Sequence, residues 1–302
     1  MPNLSMLTIE IGMNPEIRDF GGLLLTWHGV FTALGIAAGV WLGVIIGKRR
    51  GFLEDDIYSA ALVAIPFGIV GARALFVVER WGTPGVENAL DVIRLNEGGI
   101  SIYGAMLGGL LGGFIYVWFR KLPILRGFDV AIIGLLIGMA IGRVGDLING
   151  EHFAKVSSLP WSVRYTDLNS PSVLAHPECG LTPATPSLSD LCAQHPAVGY
   201  EMVGDLLIIG IAFLVLRFFR RDGLAFFGAM LLYALMRFGV SELRIDSEVI
   251  FAGLTTPQVT SLFVIPVAAI GVIWTWLRGN SAAPVPAPSP PAPAVQSRPA
   301  KH

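Results

Sequence analysis

The stretch FDVAIIGLLIGMAIGRVGDLINGEH, residues 128–152, decides the fold class. Its apolar part, roughly 128–148, is long enough at 1.5 Å per residue to cross about 30 Å of hydrocarbon. Yet Arg143 lies inside that length, and Asp146, Asn149 and Glu151 crowd its end. A charge in lipid costs at least ~2.5–3.5 kcal/mol on insertion scales, so this arginine needs a partner or a water-filled cavity. The segment predicts a transmembrane helix whose last turns enter a polar site.

Working outward, six more windows of comparable length fall roughly at 23–46, 57–79, 101–119, 199–219, 223–240 and 258–277. Across 302 residues only 14% are charged, against about 25% in an ordinary soluble domain. With 53% hydrophobic residues and a mean hydropathy of +0.65, lipid rather than water must surround most of the chain. A water-soluble globular domain is excluded, and no nucleic-acid partner is expected. The expected fold is an all-α polytopic membrane protein with seven transmembrane helices. Glu10, Glu16, Arg18 and Asp19 precede the first apolar run, which argues against a cleaved signal peptide.

Charge placement orients these spans. Connections on one side carry Lys48, Arg49, Arg50, Arg120, Lys121, Arg126, Arg217, Arg220, Arg221, Arg278, Arg298 and Lys301. Those on the other carry Arg18, Arg80, Arg94, Lys155, Arg164 and Arg244. Twelve against six predicts an N-terminus outside and a C-terminus in the cytoplasm, as an odd number of helices requires. Residues 149–198 then form a small extracytoplasmic head. It holds the only two cysteines, Cys179 and Cys192, so a disulfide is expected there. The seven-helix domain covers 1–278, and the Pro/Ala-rich segment 279–302 reads as a disordered cytoplasmic tail. GAMLGGLLGG (104–113) has small-xxx-small spacing, which points to close helix packing.

Three arginines, Arg73, Arg143 and Arg237, lie roughly 14–16 residues from the cytoplasmic ends of their spans. At helical rise that is about 21–24 Å, in the outer third of the membrane. His28 and Tyr103 fall in the same layer, as do Asp146, Asn149, Glu151, Tyr200 and Glu201. For Arg73 alone, snorkelling to the outer headgroups and a role in a site are both open. For the layer as a whole, snorkelling does not explain why acids, amides and a histidine gather with the arginines. Guanidinium groups are forked donors suited to phosphate, so the layer points to a phospholipid headgroup.

GRVGDLINGEHFAK (142–155) resembles the G-R-x-G-N-F-x-N-x-E-x-x-G signature of the prolipoprotein diacylglyceryl transferase family. Further similarities follow in family order. They are Trp27-His28-Gly29 opening the first helix, Gly71-Ala72-Arg73 in the second, and GGISIYG (98–104) before the third. H-P-x-x-x-Y-E (195–201) then precedes the fifth helix, and R-F-x-V-x-E-x-R (237–244) ends the sixth. The resemblance spans roughly 20–277. It departs from the family pattern at five places: Tyr103 stands where His is common, His28 where Tyr is common, Asp146 for Asn, Ala154 for Gly, and Ser241 at the usual Glu position.

The resemblance implies a transferase of the bacterial inner membrane with its active site toward the outer leaflet. Its expected partners are phosphatidylglycerol, the surrounding membrane lipids and preprolipoprotein signal peptides. The diacylglyceryl group would pass to the thiol of the lipobox cysteine, releasing glycerol phosphate. Arg143 and Arg237 would hold the leaving phosphate. Asn149 and Glu151 would orient the headgroup and Arg143, with Arg73, Asp146, Tyr200 and Glu201 as further substrate contacts. Glu242 and Arg244 would belong to a gate at the mouth. His28 and Tyr103 complete the expected catalytic set, with His28 as candidate base after an exchange of places. No metal or organic cofactor is expected, because the thiol arrives with the substrate. Two rival readings are a diverged relative that binds phospholipid or uses another acceptor, and a lipid transporter. A transporter should show polar residues along a path to both faces, whereas these spans are polar only near one end.

Overall fold

The computed structural model describes residues 8–19, 24–81, 101–167, 170–176, 179 and 192–279. Among them, seven long helices follow one another: α1 (Trp27–Arg49), α2 (Glu54–Arg80), α3 (Ile102–Phe119), α4 (Ile124–Asn149), α6 (Ala197–Phe218), α7 (Leu224–Ser241) and α8 (Thr256–Arg278). A single-turn helix, α5 (Pro171–Leu174), lies between α4 and α6. All the long helices except α3 are long and apolar enough to cross a membrane; the apolar part of α3, Gly104–Phe119, is shorter. The chain is an all-α polytopic membrane protein. The expected tail lies outside the described residues apart from Gly279.

Two boundaries differ from the hydrophobic windows for local reasons. The first helix starts at Trp27, not near 23, because Leu24–Thr26 (β3) pairs antiparallel with Glu16–Asp19 (β2). The Thr26 hydroxyl then caps α1 by accepting the Gly29 N–H at 3.1 Å. The fourth starts at Ile124, directly after Pro123, and ends where Gly150 turns left-handed at φ 69°. That conformation suits glycine, and it brings the Glu151 N–H back onto the Asp146 carbonyl at 3.2 Å.

The fourth helix is the centre of the bundle, packing on α1, α6 and α7. Val130, Ile133 and Leu136 on it meet Ile208 and Ala212 of α6 and Ala229 of α7 in the main apolar core. Glycines set the spacing of its closest neighbour. A Cβ on Gly35 of α1 would stand 2.5 Å from the Gly138 carbonyl oxygen of α4, and backbone cannot yield to it as a side chain can. The glycines of 104–113 work in the same way: Gly104 and Gly108 seat α3 against Gly71 and Phe67 of α2. The close-packing reading of that run therefore holds. Gly35→Leu is expected to cost about 1–3 kcal/mol by overpacking, read as a lower unfolding temperature in detergent.

The two ends of the bundle are polar in different ways. At one end Asp129, fully buried, accepts the Gly223 and Phe226 N–H groups at 2.8 and 2.9 Å and so caps α7. Beside it Asp222 is gripped by Arg126 and, at 2.9 Å, by Arg50, which pins the α1–α2 turn to α4. At the other end lies the head. There Ile9–Ile11 (β1) pairs parallel with Val163–Tyr165 (β4) over a small core of Val163, Tyr165 and Val173. Gln194 sits inside the head, donating to the Ser172 hydroxyl at 2.9 Å and accepting from the Ala154 N–H at 2.9 Å. Cys179 and Cys192 are joined by a disulfide, as expected. A hairpin of Val249–Phe251 (β5) and Leu254–Thr255 (β6) leads into α8.

Candidate functional site

The site forms where the head-side ends of α1, α4, α6 and α7 meet. Its hub is Glu201 in the first turns of α6, with a side chain only 1% exposed. Three guanidinium groups converge on it. Arg143 of α4 approaches Oε2 at 2.5 Å, Arg237 of α7 pairs with Oε1, and Arg244, just past α7, donates to Oε1 at 3.0 Å. A buried carboxylate of this kind is tolerable in an apolar bundle only because it is compensated.

Arg143 also serves a second carboxylate. Its Nη1 donates to Asp146 Oδ2 at 2.9 Å, one helical turn away. The other oxygen of Asp146 meets His28 Nδ1 of α1 at 2.5 Å. Asn149 donates to Glu151 Oε1 at 3.0 Å, and Glu151 Oε2 reaches 4.0 Å from His28 Nδ1. Six of the expected site residues, His28, Arg143, Asp146, Glu201, Arg237 and Arg244, thus form one connected set. Asn149 and Glu151 border it.

Other expected residues sit elsewhere. Arg73 is buried on α2 with its guanidinium 5.2 Å from the centre of the Phe76 ring, rather than extended to a surface. The Tyr200 hydroxyl accepts from the Trp161 indole N–H at 2.8 Å and so ties α6 to the head. Glu242 accepts from Gln258 at 2.6 Å and braces the start of α8, while Arg244 turns inward to Glu201. The side chain of Tyr103 and residues 98–100 lie outside the described residues.

Three polar groups of the site were not anticipated. His152 follows the signature glutamate with φ 64°, a left-handed conformation that is uncommon for a residue with a Cβ. Its ring faces Asp146 at 3.5 Å and Asp246 at 3.1 Å. Burial disfavours its charged form, but the hydrogen bonds to those two carboxylates win and raise its pKa above the ordinary histidine value. Arg244 Nη2, 2.6 Å from His152 Nδ1, opposes that charge. Asp246 in turn is partly buried, yet hydrogen bonds from His152 and Arg244 hold it well below the usual carboxylate range. Asp205 lies one turn after Glu201 on α6, fully buried, with neither oxygen hydrogen-bonded among the described residues. Its i+4 spacing from Glu201 was the available signal; for His152 and Asp246 there was only proximity to Glu151 and Arg244 in sequence.

His28, Asp146 and Glu151 could offer a cation ligand atoms within 4.8 Å of one another. The donor chemistry does not favour one. Asp146 Oδ2 is already committed to Arg143 and His152, and the adjacent guanidinium repels a cation. The arrangement suits an anion better. Arg143 and Arg237 keep 13% and 18% of their side chains exposed, whereas Arg244 keeps 3%. A guanidinium has five donors, so the first two can hold Glu201 on one edge and present another edge outward.

A family model described as prolipoprotein diacylglyceryl transferase matches residues 15–274. The chain is similar to the phosphatidylglycerol–prolipoprotein diacylglyceryl transferase of Clostridioides difficile, 31% identical over 80% of this chain and 87% of that protein. It is likewise similar to the enzymes of that name from Gloeobacter violaceus and Bacillus licheniformis. These are 31% and 28% identical, over 89% and 90% of this chain and 94% and 96% of theirs.

Proposed function

The chain belongs to the prolipoprotein diacylglyceryl transferase family, and from that premise we propose how its residues carry the transfer. It is an integral membrane protein, and in this reading it acts in the bacterial inner membrane with its site toward the outer leaflet. The substrate lipid is phosphatidylglycerol, and the acceptor is the lipobox cysteine of a preprolipoprotein signal peptide. The observation that carries this reading is the pair of partly open guanidinium groups, Arg143 and Arg237, fixed side by side on one buried glutamate.

The headgroup of phosphatidylglycerol is a phosphodiester with one negative charge. Arg143 and Arg237 hold its non-bridging oxygens with their outward N–H groups. The acceptor thiolate then attacks the glyceryl carbon that bears the phosphate. A sulfur–carbon bond forms, the carbon–oxygen bond breaks, and the electron pair leaves with the phosphate as glycerol phosphate. The leaving group gains a second negative charge at the moment of cleavage. Two guanidinium groups already in place stabilise that developing charge more than the ground state, which is where catalysis is gained. Glu201, Asp146 and the body of the bundle keep them aligned, so little reorganisation is needed. Asn149 and Glu151 lie beside the Arg143–Asp146 pair and orient the glycerol end of the headgroup.

The test is transfer itself. Purified protein in phosphatidylglycerol vesicles, given a peptide with a lipobox cysteine, should add one diacylglyceryl group to that cysteine and release one glycerol phosphate. Vesicles without phosphatidylglycerol should give neither product. Binding of the lipid without any cysteine modification would replace this reading by that of a phospholipid-binding relative.

A further inference from the structure

Resting on the transfer reading above, we propose that His28 and Asp146 form the dyad that ionises the acceptor thiol, His28 being the base and Asp146 its positioning residue. The contact between His28 Nδ1 and Asp146 Oδ1, at 2.5 Å, fixes which ring nitrogen carries the proton. A carboxylate only accepts, so Nδ1 is the donor and Nε2 keeps the lone pair of a neutral imidazole. Nε2 is lightly engaged: its one hydrogen-bond partner among the described residues is the Thr32 hydroxyl at 3.5 Å. The imidazole is 44% exposed while Asp146 is 5% exposed, so the base faces the open side and its anchor is buried.

Asp146 is itself held from both sides. Its second oxygen is taken by Arg143 at 2.9 Å and faces His152 at 3.5 Å, which leaves the first free for His28 alone. The backbone makes the pairing possible. A Cβ on Gly145 would stand 2.7 Å from the His28 Cα, so only glycine lets the start of α1 lie this close to the end of α4. The charged groups around the imidazole are therefore Asp146 and Glu151 as acids and Arg143 as a cation, with His152 beyond Asp146. Arg143 touches the base's anchor and is itself half of the phosphate clamp, so the two halves of the reaction share one guanidinium.

The step balances. The thiol proton moves to His28 Nε2 as sulfur bonds to the glyceryl carbon, and the carbon–oxygen pair leaves on the phosphate. The imidazolium then returns its proton to the glycerol phosphate or to water, and Nδ1–H never leaves Asp146. A thiol with its ordinary pKa near 8.5 is only a few per cent ionised at neutral pH, which is the shortfall such a base makes good.

The experiment is a pH–rate profile of transfer with the lipobox peptide in phosphatidylglycerol vesicles. For the unaltered enzyme kcat/KM should rise through the histidine range and then level. His28→Gln keeps a donor toward Asp146 and should lose about 10²–10⁴-fold at neutral pH. Its residual rate should climb with pH into the thiol range. Asp146→Asn should fall less and displace the rising limb. His28→Ala should be restored in part by added imidazole, which a merely structural role would not allow. The dyad is overturned if His28→Gln keeps the rate and profile of the unaltered enzyme. It is equally overturned if His28→Gln is dead at every pH and imidazole restores nothing to His28→Ala. Absence of transfer by the unaltered enzyme would instead remove the transferase reading on which the dyad rests.

Discussion

Arg143→Lys and, separately, Arg237→Lys should each lower diacylglyceryl transfer on the order of 10²–10³-fold, the loss typical of removing one charge-stabilising donor from a preorganised site. Lysine keeps the charge but offers a compact ammonium in place of a planar fork. At position 143 the fork has two duties already, Nη1 on Asp146 and Nη2 on Glu201, while 13% of the side chain stays exposed. An ammonium carries its three donors on one nitrogen and does not reproduce the fork's spread contacts to two carboxylates and a ligand. At position 237 Nη1 lies on Glu201 and 18% of the side chain is exposed, so lysine there should bind lipid more weakly as well as react more slowly. The two variants differ in a further readout. Arg143→Lys unseats Asp146 and should distort the pH profile set by His28, whereas Arg237→Lys should leave its shape alone. Initial rates of cysteine modification against phosphatidylglycerol content, taken at several pH values, separate these effects. Near-normal kcat in both variants would dispose of the phosphate clamp.

The seven helices were legible because each is a long apolar run, and depth along those runs put Arg143, Arg237, His28, Asp146 and Glu201 at one level. Depth is read from residue counting at a fixed rise, which sequence supplies. Which of these residues touch is a matter of helix rotation and neighbour, which sequence does not supply. The i, i+3 pair Arg143–Asp146 follows from helix geometry alone, but the convergence of three elements on Glu201 does not. Glu242 and Arg244 show the difference most clearly. Both were expected at a mouth, two residues apart. The chain leaves α7 at Ser241, and in the turn that follows Glu242 faces Gln258 on α8 while Arg244 turns inward to Glu201. His152 and Asp246 read as ordinary loop residues, because nothing in either segment announces that the other lies beside it. The helix starts at Trp27 and Ile124 were shifted by a short strand pair and a proline, signals too local for a hydropathy window.

Glu201→Gln should damage the protein more than any other single change at the site, through stability as well as rate. The carboxylate is almost fully buried and answers three cations from α4, α7 and the segment after α7. Glutamine fills nearly the same volume but replaces one acceptor oxygen by a donor, so any loss reports charge and hydrogen bonding rather than packing. Removing one partner from a buried ionic set costs about 3–5 kcal/mol, because the charges left behind remain desolvated. A drop of that size should show as a clearly lower unfolding temperature in detergent, with transfer activity lost as Arg143 and Arg237 splay apart. The cause can be isolated. Arg244 is the most buried of the three guanidinium groups, and removing its charge together with that of Glu201 leaves two cations rather than three around the neutralised position. The double variant Glu201→Gln/Arg244→Gln should therefore be less destabilised than the sum of the two single variants, the non-additivity expected of residues in direct contact. Phosphatidylglycerol should also raise the unfolding temperature of Glu201→Gln more than that of the unaltered protein, since its phosphate supplies the missing negative charge. An unchanged unfolding temperature for Glu201→Gln, or strictly additive losses in the double variant, would mean that Glu201 is not the counter-ion on which the arginines depend.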